Sequence, residues 1–221
     1  AVHSLGDRVR QLLLRSHHME LFSGSGCALW ASLGPPWARN LLRSPVLRRY
    51  LNSFFDKPTG LCRKAGTLST LAGQISFSAI RLSINGRFKV DAAVFPPQQD
   101  CPLAEPFEIE VRAGRVTRVE QTDAGKRLEK WIEHNAGCGS RELMHFSFGL
   151  NPSAEFGNSI LVNERVFGAV TVGIGFGAKN AHTDLVLSSP SVWIDQRPFL
   201  DRGDLVHPDL ACLRSSLLRR T

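Results

Sequence analysis

The chain has 221 residues, of which 43% are hydrophobic and 21% are charged, so it can bury a substantial core and is too apolar to be a disordered protein. By length it could form one large domain or two small ones. No apolar run approaches the roughly 18–20 residues of a membrane helix, and the first residues lack an apolar signal segment, so we expect neither a membrane span nor a secretory signal.

The net charge of +7 is concentrated near the start of the chain. Residues 1–66 contain ten Lys and Arg against three acidic residues, whereas residues 67–221 contain 17 of each kind. We therefore predict a basic helical leader over residues 1–66 and a separate α+β domain over residues 67–221. Such a leader could contact nucleic acid, an anionic surface or an acidic protein, act as a transit peptide, or present solvated helix faces. Few aromatic residues interleave with its arginines, which favours the solvated faces over nucleic-acid binding.

The cysteines are scattered, odd in number and form no C-x-x-C pair. This distribution argues against a disulfide framework and against a structural zinc site. We therefore expect a reducing cytoplasm as the location. The five residues are Cys27, Cys62, Cys101, Cys138 and Cys212.

Helical spacing of apolar residues predicts two helices in the leader, over residues 8–17 and 37–55. Gly34-Pro35-Pro36 breaks the chain just before the second helix. The apolar, glycine-containing stretch 22–33 fits neither period and is not assigned.

From residue 73 onward the apolar period changes to two, which indicates strands. Residues 76–84 predict a strand, Asn85-Gly86 a type I′ turn, and residues 88–95 the returning strand. A second hairpin is predicted over residues 107–119, with its turn at Ala113-Gly114.

Asp123 can cap a helix that extends to about residue 135, with Leu128, Trp131 and Ile132 on its buried side. Hairpins with interspersed helices indicate an α+β fold with a mixed or antiparallel sheet and flanking helices, not a parallel doubly wound sheet. The remaining predicted strands cover residues 143–148, 169–174, 182–187 and 192–195.

Three side chains on these strands could share one metal ion. In the strand at 143–149 the apolar side chains of Phe146 and Phe148 face the core, so His145 and Ser147 face the other way. His182 and Asp184 are two residues apart on a strand and therefore project side by side.

Two histidines and one carboxylate with open positions are the ligands of non-haem Fe(II) sites that react with dioxygen. Zinc with three protein ligands and one water is the main competitor. A pair of structural, hydrogen-bonded histidines is the alternative without a metal.

A longer string around these residues resembles a known family. It runs from Phe148-Gly149-Leu150-Asn151-Pro152 through Asn163-Glu164-Arg165 to His182-Thr183-Asp184. The string resembles the C-terminal half of the thermophilic metallo-aminopeptidases, peptidase family M29. It is equally similar to their oxygenase relative, 2,5-dihydroxypyridine 5,6-dioxygenase. The resemblance covers about residues 67–205, and the family's N-terminal α/β domain is expected to be missing or replaced.

The resemblance also implies an altered metal site. The aminopeptidases hold two metals with two glutamates, two histidines and an aspartate. Their first glutamate corresponds to Ala93, their second to His145 and their first histidine to Thr171. His182 and Asp184 are kept, so the resemblance implies a single metal bound by His145, His182 and Asp184, as in the dioxygenase.

Several further residues are candidates for smaller roles. Ser147, Thr171 and Asn180 are expected near the metal, where each could bind substrate, orient a ligand or merely satisfy backbone groups. Gly173 to Gly177 lacks the ending of a phosphate loop and is interpreted as a close backbone approach beside the pocket.

Other polar residues are expected to be structural. Glu142 and Glu155 could act as an acid or base, but solvated surface carboxylates are the preferred interpretation. His17, His18 and His134 are expected on exposed helix surfaces, and His207 lies in a tail without an identifiable partner.

These patterns and the resemblance together predict an Fe(II)-dependent oxygenase that acts with O₂ on a small hydroxylated aromatic or heteroaromatic molecule by extradiol-like cleavage. A mononuclear Zn or Mn hydrolase is the alternative enzyme, although the peptidases' catalytic tyrosine has no counterpart because the only tyrosine is Tyr50. A non-catalytic binding module is a third alternative. Members of the family commonly pair, so a homodimer is a further expectation.

Overall fold

The computed structural model describes residues 2–24, 26–33, 73–97, 101–136, 139–157, 159–175 and 181–211. These residues form an α+β fold of two antiparallel sheets with few helices. The helices are α1 (Val2–Arg15), α2 (Asp123–His134) and α3 (Ile160–Asn163), with 3₁₀ turns at Arg81–Ser83 and Pro208–Leu210. The strands are β1 (His18–Phe22), β2 (Ala28–Ser32), β3 (Gln74–Phe77), β4 (Asn85–Val90), β5 (Ala93–Phe95), β6 (Phe107–Arg112), β7 (Arg115–Val119), β8 (Leu143–Gly149), β9 (Val170–Ile174), β10 (Thr183–Leu187), β11 (Ser191–Ile194), β12 (Arg197–Asp201) and β13 (Asp204–Leu205).

The two sheets divide the strands unequally. The larger sheet has eight strands in the order β13-β12-β11-β1-β2-β4-β6-β7, and the smaller has five in the order β3-β8-β9-β10-β5. Buried apolar side chains from both sheets belong to one hydrophobic cluster, which includes Phe88 and Ile109 of the larger sheet and Phe77, Phe146 and Phe148 of the smaller. One face of each sheet therefore lines this core, and part of the other face of the smaller sheet is covered by a second, small apolar cluster.

Helix α1 packs on this core and begins earlier than predicted. It runs from Val2 to Arg15, whereas the prediction covered residues 8–17. Leu5, Val9 and Leu13 follow helical spacing and are fully buried. The apolar stripe starts at Leu5, so the helix extends toward the start of the chain by about two turns.

Within the predicted leader, residues 18–32, most of which were not assigned to an element, form a β-hairpin and not a helix. Strand β1 pairs with β2 on one side and with β11 on the other, and β2 also pairs with β4. Met19, Leu21 and Leu29 enter the core and alternate with exposed or partly exposed residues, as in a strand with one buried face. The predicted helix at 37–55 and the boundary between residues 66 and 67 lie outside the described residues.

The predicted hairpin turn at Asn85-Gly86 is also wrong, because both residues lie inside β4. The predicted strand over residues 76–84 ends at Phe77, and β3 and β4 belong to different sheets. Gly86 is needed because a Cβ there would overlap the carbonyl oxygen of Ala28, and its φ is +126°. The Asn85 side chain instead accepts a hydrogen bond from the backbone N–H of Ala113, 2.8 Å away, in the next turn along the sheet.

The predicted returning strand over residues 88–95 is wrong as a single strand, because it is divided between β4 of the larger sheet and β5 of the smaller. The remaining predicted elements are confirmed with small shifts. The second hairpin forms as β6 and β7, and Ala113 and Gly114 both have positive φ, as a type I′ turn requires. Helix α2 is capped by the Thr122 hydroxyl, which accepts from the N–H of Gly125, rather than by Asp123. Helix α3 and strands β12 and β13 were not predicted.

No helix among the described residues is long and apolar enough to cross a membrane. Cys27 and Cys101 are free thiols, and the other three cysteines lie outside the described residues.

Candidate metal centre

The centre lies on the face of the five-stranded sheet that points away from the core. On β8, Phe146 and Phe148 are buried in the core, so His145 and Ser147 point to the opposite face, as predicted. His145 pairs with Gly173 on β9, and Gly173 pairs with Asp184 on β10. These three positions therefore form one row across the sheet, with His145 and Asp184 separated by a single residue without a side chain.

Gly173 allows the two predicted ligands, His145 and Asp184, to meet. A Cβ on Gly173 would overlap the imidazole of His145, which lies directly above this position. The ring can therefore cross β9 and reach Asp184 only because position 173 carries no side chain. A close approach is found at Gly173, as predicted, but the approaching group is the His145 side chain and not the backbone.

The structure brings the three predicted ligands together. His145 Nε2 lies 3.4 Å from Asp184 Oδ1, and His182 Nε2 lies 3.2 Å from the same oxygen. The two imidazole rings have centroids 5.3 Å apart and an interplanar angle of 22°. One ligand atom from each residue falls within 4.8 Å of the others.

A backbone contact fixes the orientation of the His182 ring. Its Nδ1 lies 2.9 Å from the carbonyl oxygen of Gly175. A carbonyl can only accept, so Nδ1 carries a proton and donates it, and Nε2 is the nitrogen that faces Asp184, to which it donates when the ring is protonated. This arrangement is typical of metal-ligating histidines, whose second nitrogen donates to a carbonyl or carboxylate.

Charge and burial act in opposite directions on Asp184 and His182. Burial alone would raise the pKa of Asp184, but hydrogen bonds from His145 and His182 and their charges hold that pKa well below its usual range. Burial alone would lower the pKa of His182, but the hydrogen bond and charge of Asp184 outweigh it and raise that pKa. Asp184 is therefore an anion that draws positive charge to this point.

The donor set and its spacing fit a divalent cation. Ligand atoms about 2.1 Å from a metal are separated by roughly 3.0–3.5 Å from one another in octahedral or tetrahedral geometry. The separations of 3.4 Å and 3.2 Å from Asp184 Oδ1 lie in this interval. Two imidazole nitrogens and one carboxylate oxygen are suitable ligands for iron, zinc or manganese.

Glu164 is a further member of the site that the sequence reasoning did not single out. Its carboxyl is buried and accepts a hydrogen bond from Gln74 Nε2 at 2.6 Å. Burial and the negative charge of nearby Asp184 raise the pKa of Glu164 to about 7. The residue lies within the string that resembles the aminopeptidases, but nothing in its local pattern indicated a buried position.

The raised pKa of Glu164 predicts a pH-dependent stability in metal-free protein. Its folded-state pKa is about 7 against an ordinary value of 4.5, so between these values the unfolded chain releases the proton while the folded chain keeps it. The free energy of unfolding then falls as the pH rises toward about 7 and stays low above it. We expect Glu164→Gln, which cannot ionise, to be more stable than the parent at about pH 8, by on the order of 2 kcal/mol.

Urea unfolding in the presence of a chelator, at about pH 5 and about pH 8, measures this effect. Glu155→Gln is the control, because Glu155 is exposed and should leave the pH dependence unchanged. The same pH dependence in the parent and in Glu164→Gln would contradict the prediction.

Two of the three predicted polar residues lie on the same face of the sheet, in the row next to His145, Gly173 and Asp184. Ser147 and Thr171 are fully buried and pair across β8 and β9. The Ser147 hydroxyl lies 2.7 Å from the Ser76 hydroxyl, whereas the Thr171 hydroxyl has no hydrogen-bond partner among the described residues. Asn180 lies outside the described residues.

The other predicted polar residues lie apart from the metal ligands. Glu142 forms ion pairs with Arg81, at 3.1 Å, and with Arg115, at 2.6 Å, so its carboxylate has a structural partner on each side. Glu155 is exposed, as expected.

The structure confirms the prediction for His134 and corrects those for His17, His18 and His207. His134 is exposed at the end of α2, as expected, but His17 and His18 follow α1 instead of lying on it. Their backbone N–H groups donate to Asp195 at 2.8 Å each. His207 is buried and caps the last 3₁₀ turn by accepting from the N–H of Asp209, so the expectation that it lacks a partner is wrong.

Comparisons with known proteins show what this fold resembles. No family model and no curated protein sequence matches the chain. Among solved structures, 2,5-dihydroxypyridine dioxygenase from Pseudomonas putida KT2440 matches with a TM-score of 0.67 and 16% identity over 92% of this chain. AmpT from Thermus thermophilus matches with a TM-score of 0.52 and 14% identity, also over 92% of this chain. The chain spans 60% and 53% of these two structures, respectively. It shares their fold, which agrees with the resemblance read from the sequence.

Proposed function

We propose that the chain binds one Fe(II) through His145, His182 and Asp184 and uses O₂ to cleave a small hydroxylated aromatic or heteroaromatic ring. The observation that carries this proposal is the convergence of His145 Nε2 and His182 Nε2 on one oxygen of Asp184. Iron(II) held by these three ligands would supply adjacent positions for a chelating substrate and for dioxygen. The likeness to the fold of a 2,5-dihydroxypyridine dioxygenase supports the same choice.

The residues at the positions of the aminopeptidases' further ligands favour a site with a single metal. The positions that the resemblance assigns to a glutamate and a histidine hold Ala93 and Thr171. Ala93 and Thr171 pair with Val186 from either side, and Ala93 and Val186 belong to a small apolar cluster. A methyl group and a hydroxyl cannot hold a second divalent cation there.

The protein would position the substrate with groups around the ligands. Phe95 pairs directly with Asp184, so its ring projects from the same face of the sheet. Its side chain is 40% exposed, which is high for a phenylalanine and leaves an aromatic surface beside the metal. Thr171 faces the same side of the sheet, but its hydroxyl is fully buried and has no partner among the described residues, so a substrate hydroxyl would reach it only if neighbouring side chains moved.

Removal of the Phe95 ring should therefore weaken substrate binding. We expect Phe95→Ala to raise KM for an aromatic substrate roughly tenfold with a smaller change in kcat, because a stacking surface contributes equally before and during the reaction. Leu82→Ala is the control, since it removes another exposed apolar side chain from the Arg81–Ser83 turn. Steady-state O₂ uptake measures both constants, and an unchanged KM in Phe95→Ala would contradict the role.

The test of the function is oxygen uptake by anaerobically purified protein after reconstitution with Fe(II). Dihydroxypyridines and catechols are the first substrates, and we expect consumption of one O₂ per ring cleaved. His145→Ala should lose uptake, whereas His134→Ala, which removes an exposed helix histidine, should keep it. Stoichiometric zinc in the isolated protein, with no uptake on any ring after Fe(II) reconstitution, would reject the proposal.

Two alternatives predict different results in the same experiment. A mononuclear zinc or manganese hydrolase should cleave amide bonds at a rate that does not depend on O₂. A non-catalytic module should keep its binding activity in His182→Ala, whereas an enzyme should lose turnover together with the metal.

A further inference from the structure

Two tryptophans and a glutamate form a row on the outer face of the eight-stranded sheet. Glu20 on β1 pairs directly with Trp30 on β2 and with Trp193 on β11. Their strand neighbours Met19, Leu21, Leu29 and Val192 are buried in the core, so the row faces away from it. This face is separate from the metal ligands, which lie on the five-stranded sheet.

The exposure of both indoles is unusual. Trp30 is 50% exposed and Trp193 is 40% exposed, although tryptophan is one of the most buried residue types on average. Each indole offers a large apolar surface whose hydration is unfavourable. A pair of exposed tryptophans in register indicates a surface that is covered when a partner binds.

The spacing suits one cation between the two rings. Adjacent strands are about 4.8 Å apart, so the Cα atoms of Trp30 and Trp193 are separated by roughly 10 Å across β1. A cation located above Glu20 can then lie within about 6 Å of both ring centroids, the range in which cation–π attraction acts.

Glu20 supplies the matching charge. Glu20 is partly buried, and its cross-strand partners on both sides are the two tryptophans. Its carboxylate has no hydrogen bond or ion pair with any other described residue. An apolar partner would cover this carboxylate without compensating its charge, and an anion such as nucleic acid would be repelled by it. A positively charged group satisfies both the carboxylate and the faces of the two rings.

We propose that Trp30, Glu20 and Trp193 form a recognition site for an arginine or lysine side chain on a basic segment of a partner protein. The guanidinium or ammonium group is held above Glu20 and flanked by the two indoles. The site is independent of the metal centre and of the proposed oxygenase activity.

The test uses a fluorescein-labelled hexa-arginine peptide and the full chain, with binding followed by fluorescence anisotropy. We expect Trp30→Leu and Trp193→Leu each to weaken binding about three- to fivefold, the effect of one exposed cation–π contact. Glu20→Gln should weaken binding by about the same factor, because it removes one partly exposed charge pair. The control is Glu110→Gln, which removes another partly exposed carboxylate of the same sheet, one already paired with Arg112.

Three results would overturn the proposal. Equal weakening by Glu20→Gln and Glu110→Gln would mean that the peptide binds by general charge attraction alone. Unchanged binding in both tryptophan variants, with the parent's circular dichroism spectrum retained, would exclude the rings. A parent protein that sediments as a dimer, and becomes a monomer in Trp30→Leu, would assign the face to a second copy of the chain instead.

Discussion

Asp184→Asn is expected to abolish tight binding of the metal while leaving the fold intact. Asparagine keeps the shape of the side chain but removes the only negative charge among the three ligands. We expect the affinity for Fe(II) or Zn(II) to fall by more than about 100-fold, because even changes to groups that only orient ligands cost 10–100-fold. Anaerobic titration with a competing chelator measures the affinity.

A matched substitution separates this effect from general charge removal. Asp123→Asn removes an exposed carboxylate at the start of α2 and should leave metal affinity unchanged. An Asp184→Asn protein that binds the metal as tightly as the parent would show that Asp184 is not a ligand.

Gly173→Ala should disrupt the centre without touching any ligand. The added methyl group would overlap the His145 ring, which must then leave its place above β9. We expect metal affinity to fall about 10–100-fold, as for other changes that misorient a ligand. The free energy of unfolding should fall by about 1–3 kcal/mol, the usual cost of overpacking.

The control for this substitution is Gly157, which lies in the loop between β8 and α3. A Cβ on Gly157 would meet no atom within 4 Å, so Gly157→Ala should bind metal like the parent. Metal titration and thermal unfolding of both variants test the pair. Full metal affinity in Gly173→Ala would contradict the observed position of His145.

The strand faces on which the three candidate ligands lie could be predicted because they follow from simple rules of strand geometry. His145 alternates with two core phenylalanines, and His182 and Asp184 are two residues apart, so each faces the same side as its partners. That His145 reaches the other two across β9 could not be derived from spacing, because it depends on the register that places Gly173 between the strands. The family resemblance supplied the link between them.

Other parts of the fold depended on contacts between distant segments. Asn85-Gly86 has the composition of a hairpin turn, but close packing against β2 requires the glycine and the Ala113–Gly114 turn uses the asparagine. Strands β1 and β2 were not predicted because they lie in the basic first 66 residues and their apolar alternation is short. Their partner β11 also lies near the other end of the described residues. Pairing with distant strands, and not the local sequence pattern, determines the secondary structure of these segments.

Glu164 shows the same limit within the site. Its four-residue neighbourhood gives no sign of burial, and only the folded chain brings it to Gln74 and Asp184. The burial of this carboxyl beside Asp184 can be predicted only when the positions of the strands and of the segment that follows α3 are known together.

We predict that His145, His182 and Asp184 bind one metal ion and leave part of its coordination open. A crystal structure of protein loaded anaerobically with Fe(II), with anomalous scattering recorded at the iron edge, tests it most directly. We predict a single strong peak about 2.0–2.3 Å from His145 Nε2, His182 Nε2 and an Asp184 oxygen, with the remaining ligands supplied by solvent. A peak elsewhere, or a loaded protein in which His145 is turned away from the other two residues, would contradict the account.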